Sequence, residues 1–498
     1  MTNNDKKIVS IGESVVPDGG WGWIIVFSSF MIHFIMDGIT YSMGQVFLEP
    51  MRKELSLDRA SVSSIFGILP AVTLGAGPIA TVLTNMYGCR PVAIAGSCIA
   101  AFGFFLARLW TNIWFYYITI GVIGGIGFAL MYLPAIVSVS LYFEQKRAFA
   151  MGIAVCGSGV GTFVLSYIMN RIVNISSWLN YKNALIVEAS IILFGLLCGS
   201  LMVPLPQEPS EQRRLERKAH AKAKQKQIAQ SLISENVPVT SNNNATDDEP
   251  MLPVVTIEKL PTKSFFNQII EQIDLNLLKN AAFTLFAISN FLASLGFNVV
   301  YNYADDLAND SKVIKDQRTY IVMSIGLSNI FGRFIIGYLG DQKCMNRLLL
   351  FILTLIISGV ATMIAPLCGS SIIPHIGYAS FFGFFSGGYV ALTAIVLVDI
   401  VGINKLSDAF GVLLLFIGVA TAIGTPTVGA MRDAFSHFTR PFLWPYFIFG
   451  SCTVVSGIML FAIPFLQRKK SNDNQTETNF DTFNSGKDLS FQEEQQNI

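Results

Sequence analysis

The sequence predicts an all-α integral membrane protein: twelve transmembrane helices in two pseudo-symmetric six-helix bundles. Three observations predict it. Only 13% of the 498 residues are charged and 52% are hydrophobic, against roughly 25% charged residues in a soluble domain. The apolar residues fall in twelve blocks, at 21–47, 62–86, 92–109, 114–139, 148–170, 184–203, 281–303, 320–340, 348–367, 376–400, 409–431 and 443–466. Each is near the roughly 20 residues that a helix needs to cross a bilayer. The last six blocks also echo the first six at a near-constant offset.

These blocks divide the chain into five segments. Residues 1–20 form a cytoplasmic tail, 21–204 the first bundle, 205–280 a largely disordered cytoplasmic middle loop, 281–467 the second bundle, and 468–498 a disordered cytoplasmic tail. The first block follows a polar head with Lys6 and Lys7 and is too long for the apolar part of a cleavable signal, so it reads as a membrane span. Asp18, Gly19 and Gly20 form a turn before it, and Trp21 and Trp23 sit at interface depth, where aromatic side chains anchor.

Glycines crowd span four (Gly121, Gly124, Gly125, Gly127) and span five (Gly152, Gly157, Gly159, Gly161). Such spacing lets backbones approach closely in lipid, for static packing or for sliding. The middle loop carries Arg213, Arg214, Arg217, Lys218, Lys222, Lys224 and Lys226, and the last span is followed by Arg468, Lys469 and Lys470. Basic residues near span ends stay cytoplasmic, so both termini and the middle loop are expected inside. Residues 211–227 have the composition of a short solvated helix, and 231–248 read as disordered. The first outer loop balances Arg52, Lys53 and Arg59 against Glu49, Glu54 and Asp58 and does not fix orientation. Asn309-Asp-Ser311 falls in an expected outer loop as a weak glycan acceptor. The seven cysteines are scattered, mostly within spans, and suggest neither a disulfide framework nor a metal site. No cofactor is expected.

The repeat aligns Ala148-Phe149 with Ala409-Phe410, Gly157 with Gly418, and Gly127 with Gly388, each 261 residues on. At a similar offset the loop Asn85 to Arg90 meets Asp341 to Arg347. Transporters are often built from such paired units.

Ionisable groups inside spans are costly and mark pathways. Arg333 lies midway through span eight; Asp37 lies within span one, where Ser29, His33, Asp37, Tyr41 and Gln45 recur every fourth residue. That spacing makes a polar stripe on one helix face, a candidate wall of a watery cavity. Arg333 offers a planar, always-charged fork that suits a carboxylate; its alternative is a salt bridge to Asp37. Asn329, one turn earlier, could hydrogen-bond either partner. His33 is a packing histidine or a ligand. Moving one charge through 100 mV is worth about 2.3 kcal/mol, so an anion entering an inside-negative cell gains from a proton travelling with it. Asp37 is the candidate proton carrier, because burial favours a protonated carboxyl.

Two segments resemble the signature motifs of the monocarboxylate transporter family, within the major facilitator superfamily. One is Pro17-Asp-Gly-Gly-Trp-Gly-Trp23; the other runs from Tyr142 through Lys146-Arg147 to Gly152 and Gly157. The Gly332-Arg333 pair and the long middle loop agree. The resemblance implies that Arg333 meets a substrate carboxylate and that Arg147 belongs to an intracellular gate. It also implies a plasma-membrane location and, for some members, a single-span glycoprotein chaperone. Where the proton-coupled lactate branch has a span-one lysine, this chain has Tyr41; where that branch has an acid before the arginine, this chain has Asn329. The sequence is therefore closer to the less characterised branches.

The expected function is secondary transport of a small monocarboxylate or related carboxyl-bearing solute, with Arg333, Asn329, Tyr41, Asp37 and His33 around it. Two alternatives stand beside it: facilitative transport of a zwitterion such as creatine, carnitine or an aromatic amino acid, and a non-transporting sensor. No zinc-protease motif, phosphate-binding loop or nucleophile–base set is present, so neither an enzyme nor an ATP-driven pump is expected. The expected partners are the bilayer and the solute, with no nucleic acid.

Overall fold

The computed structural model describes residues 16–57, 59–175, 181–205, 208, 211–212 and 275–468. The expected helix over 211–227 lies outside the described residues from 213 on, as do the expected disordered stretches of the middle loop and the tail from 469. Among the described residues, eleven helices are long and apolar enough to cross a membrane, and a bent pair supplies a twelfth.

Span one is Trp21–Val46 and is followed by a short polar helix, Leu48–Leu55. Span two is the bent pair, Arg59–Gly75 and Gly77–Tyr87, which turns by 45° at Ala76. The sequence pattern predicts one span here, over 62–86. The bend has a local cause: Pro78 lacks an N–H to donate into the preceding turn. Span three is Cys89–Ala107. Span four runs from Ile113 to Tyr142 and changes pitch on the way: Tyr117–Gly124 is π-helical and leads into Gly125–Tyr142. Its glycines meet neighbouring helices: a Cβ on Gly127 would stand 2.4 Å from the Ala100 nitrogen of span three.

Span five is Arg147–Ile175, and span six combines Tyr181–Leu193 with Gly195–Leu201. Spans seven to eleven are Ala281–Asp310, Lys315–Gly340, Arg347–Ile364, Ile372–Val401 and Leu406–Ala434. Span twelve begins with Leu443–Met459 and continues to Arg468. Span seven is longer than its apolar block, so Asn309 stands in its last turn and not in a loop. Ion pairs hold that polar end: Arg432 with Asp310 at 3.1 Å and Arg318 with Asp305 at 3.8 Å.

The two halves meet most closely along two helix pairs, span two with span eleven and span five with span eight, with smaller contacts of span ten on span five and of spans ten and eleven on span four. Both crossings are built on glycine. A Cβ on Gly77 would lie 2.7 Å from the Gly411 carbonyl oxygen, and one on Gly152 would lie 2.6 Å from that of Arg333. Within the first half, span one lies along span five by the same device. A Cβ on Gly157 would stand 2.0 Å from the Phe30 carbonyl oxygen, and one on Gly161 would stand 2.1 Å from that of Phe34.

Candidate substrate-binding site

The span-one stripe begins as a structural clasp and ends as an open surface. Ser29 Oγ donates to the Ala135 carbonyl of span four at 3.0 Å. His33 is buried; its Nδ1 lies 2.8 Å from the Ser29 carbonyl, and its Nε2 has no partner among the described residues. The ring stands edge-on to Tyr132 at 5.4 Å. Asp37 is half-buried. Tyr41 is 39% exposed and stacks on Tyr301 of span seven at 6.1 Å. The side chain of Gln45 lies outside the described residues.

Arg333 comes from the other half and is buried. Its Nη1 donates to the Val155 carbonyl and the Ser158 hydroxyl of span five. Its Nε is also buried and has no partner among the described residues. A guanidinium has five N–H donors, so these bonds leave capacity for a ligand. The Arg333 charge acts on Asp37, His33, Tyr41, Tyr132 and Tyr301, which brings the stripe and the arginine into one electrostatic environment. The alternative of a direct Asp37–Arg333 salt bridge is not realised. No ion pair within 4.0 Å among the described residues includes either one.

Asn329 stands one turn from Arg333 and is buried. Its Nδ2 is 3.0 Å from the Tyr301 hydroxyl and 3.2 Å from the Gly383 carbonyl of span ten. Tyr301 also stacks on Phe297 at 4.7 Å and meets the edge of Phe382 at 5.7 Å. The structure thus gathers His33, Asp37, Tyr41, Asn329 and Arg333 with an aromatic group between the halves. The sequence reading missed Ser158, Val155 and Tyr301. Ser158 hides in a glycine run as one more small residue. Tyr301 had a usable signal: Asn290, Ser294, Asn298 and Tyr301 form a second stripe at helical spacing on span seven.

The remaining motif residues lie toward one end of the bundle. Asp18 has a positive φ of 45° and its Oδ1 accepts from the N–H groups of Glu144, Gln145 and Lys146 at 2.8, 3.0 and 3.4 Å. The two signature motifs therefore touch each other. Gly20 has φ 56°, a conformation that glycine adopts without strain. A Cβ on Gly22 would stand 2.9 Å from the Phe143 ring, and Trp21 Nε1 donates to the Leu201 carbonyl at 3.1 Å. Trp23 meets Phe143 edge-on at 5.0 Å. Arg147 is buried and opens span five; its Nε donates to the Phe143 carbonyl at 2.7 Å and the Ser140 carbonyl at 3.1 Å, both in its own half.

At the same end Asp341 joins the halves. Its carboxylate accepts from the N–H groups of Ala148 at 3.0 Å and Phe149 at 2.8 Å, capping span five from outside its own bundle. Arg347 lies 3.6 Å from Asp341 and 3.2 Å from Asp399. Burial holds the Asp341 carboxyl above the ordinary aspartate range, although the N–H groups of Phe149 and Ala148 and the charges of Arg347 and Arg147 favour its ionised form. The counterpart contact also exists: Asn85 donates to Asp408, and the Thr81 hydroxyl donates to the Ser407 carbonyl at 3.0 Å.

The profile of the Major Facilitator Superfamily matches residues 24–257 and 286–491 of this chain. The chain belongs to that superfamily. Among its relatives, mouse "Monocarboxylate transporter 12" is 27% identical over 468 residues, which is 93% of this chain and 90% of the relative. Chicken "Monocarboxylate transporter 9" is 26% identical over 480 residues, 89% of this chain and 93% of the relative. The solved structure of XylE, a proton:xylose symporter bound to 6-bromo-6-deoxy-D-glucose, aligns with a TM-score of 0.60 at 16% identity. It covers 89% of this chain and 95% of that one. FucP, solved in the outward conformation, aligns with a TM-score of 0.59 at 14% identity, covering 89% and 99%. These structures share the fold. The resemblance to the less characterised monocarboxylate transporters stands, and this superfamily member is a multi-pass membrane transporter.

Proposed function

We propose that this transporter carries a small carboxyl-bearing solute across the plasma membrane by alternating access, with its termini inside. The observation that carries the reading is the buried guanidinium of Arg333, half engaged by span five and with Nε unpartnered among the described residues. A carboxylate would take the unused donors. Hydrogen bonds to a charged group are worth about 1.5–3 kcal/mol each, so losing two should lower uptake about a hundredfold or more. The test is uptake of labelled lactate, pyruvate, creatine and an aromatic amino acid into proteoliposomes, with and without an inward proton gradient. Arg333→Ala and Arg333→Lys are expected to lose transport, the second because an ammonium lacks the fork. Unimpaired uptake by Arg333→Ala would sink the proposal.

A zwitterionic solute is the second reading, and one observation favours it. Asp37 has no ion pair among the described residues, yet feels the Arg333 charge and lies on the same helix face as Tyr41. A carboxylate beside stacked aromatic rings suits the cationic end of a solute whose anionic end sits on Arg333. The rival role for Asp37 is that of proton carrier. Asp37→Asn separates them. Loss of gradient dependence with retained lactate uptake supports the proton role; loss of creatine uptake without any gradient effect supports the zwitterion.

A further inference from the structure

Beside the Asp341 contact lies a cavity of about 1050 Å³. One wall is aromatic. Trp23, Phe149 and Tyr338 follow one another across the two halves, with ring centroids 6.2 Å and 6.0 Å apart. Val396 and Ile400 of span ten and Ile463 of span twelve add an aliphatic lining. The described lining comes from spans one, five, eight, nine, ten and twelve and from the loops before spans five and nine, and it includes none of His33, Asp37, Tyr41, Asn329 or Arg333.

Its charged groups are unevenly matched. Arg347 is shared between Asp341 and Asp399, which leaves that trio with one net negative charge. Lys146 and Lys343 line the same cavity, are exposed, and are in no ion pair among the described residues. Two ammonium groups outweigh the trio and leave the lining at a net single positive charge. An inorganic anion would need only the cations. The adjoining aromatic wall fits an anion that carries an apolar root, and Trp23 marks the depth of the bilayer interface. A volume near 1000 Å³ is large enough for a headgroup and its glycerol.

We infer that this cavity binds the phosphate headgroup of an anionic membrane lipid. Lys146 and Lys343 meet the phosphate oxygens, and the glycerol and first acyl carbons lie along Trp23, Phe149 and Tyr338. The inference rests on the chain's position in a membrane and not on which solute it carries. Occupancy would place a lipid against the Asp341–Ala148 contact between the halves.

The test uses the full chain in nanodiscs of phosphatidylcholine containing a minor share of phosphatidic acid, with the lipid that stays bound counted by native mass spectrometry. Wild type should retain phosphatidic acid in preference to phosphatidylcholine. Each cation near the surface is worth about 1 kcal/mol, a roughly fivefold change in affinity. Lys146→Ser with Lys343→Ser should therefore reduce retention about 25-fold, while Lys343→Arg should keep it. Tyr338→Ala should also reduce it, because the apolar root loses its wall. Equal retention in wild type and the double variant would overturn the inference. A further arm adds inorganic phosphate: displacement of the lipid at an equal concentration of phosphate would mark a site for a free anion and overturn the lipid assignment.

Discussion

Asp18 and its three successive N–H donors act across 126 residues or more of sequence. The carboxylate gathers the turn of Glu144, Gln145 and Lys146 that leads into span five, so it braces that turn although it belongs to span one's entry. An intramolecular hydrogen bond contributes about 0.5–1.5 kcal/mol net. Asp18→Ala should therefore lower the melting temperature of the detergent-solubilised protein, and Asp18→Asn should recover part of the loss. An unshifted melt would remove this role from Asp18. Single residues were legible in the sequence when their own helix marked them. The stripe through His33, Asp37 and Tyr41 and the charge of Arg333 needed no partner to be noticed. Ser158 and Asp341 were not legible in that way, because what distinguishes them is a group on a helix far along the chain.

Helix order follows from the apolar blocks, and each block holds a span, although span seven runs seven residues past its block and spans five and eight exceed theirs by five. What the blocks could not convey is pitch and direction. The π-helical stretch of span four and the bend at Ala76 alter helix geometry without altering mean apolarity. Glycine position carries more. Gly161 faces the Phe34 carbonyl so closely that a methyl group would force spans one and five apart. Gly161→Ala should cost more than about 2 kcal/mol, in the range of overpacked cores, and reduce the yield of folded protein. Gly67 is exposed, and a Cβ there would meet nothing within 4 Å. Gly67→Ala should be neutral or stabilising by up to about 1 kcal/mol. Comparing the two by size-exclusion yield and thermal melt separates close packing from a general intolerance of alanine in membrane helices.

The repeat read in the sequence reappears as mirrored contacts across the whole molecule. Asp341 reaches the start of span five, and Asn85, at the matching place in the first half, reaches Asp408 at the start of span eleven. The two are not chemically equal. The first depends on a single ionised carboxylate accepting from backbone, so Asp341→Asn should weaken it. With charged hydrogen bonds at about 1.5–3 kcal/mol each, the population closed at this end should fall about tenfold or more. Spin labels on spans five and eight would report the change as a longer distance. Acid should act in the same direction. Because burial raises the Asp341 pKa, protonation removes the acceptor charge at a higher pH than for an ordinary aspartate. The contact is thus strongest in the ionised range and is lost as pH falls through the raised value. A distance distribution that does not respond to Asp341→Asn would show that the glycine crossings alone hold this end.

Those crossings also bear on speed. Where Gly152 of span five meets Gly337 of span eight, and Gly340 meets Ala148, the facing surfaces are nearly bare backbone. Helices that interlock by large side chains must lift one row over the next before they can turn. That patch has no such rows, so one helix can roll on the other there, and what must give way along the rest of the seam is the ring contact of Phe149 with Tyr338 and the Arg333 bonds to span five. Close packing at this seam therefore need not slow the exchange between shapes, and a carrier built on it can hold its halves in tight register and still turn over quickly.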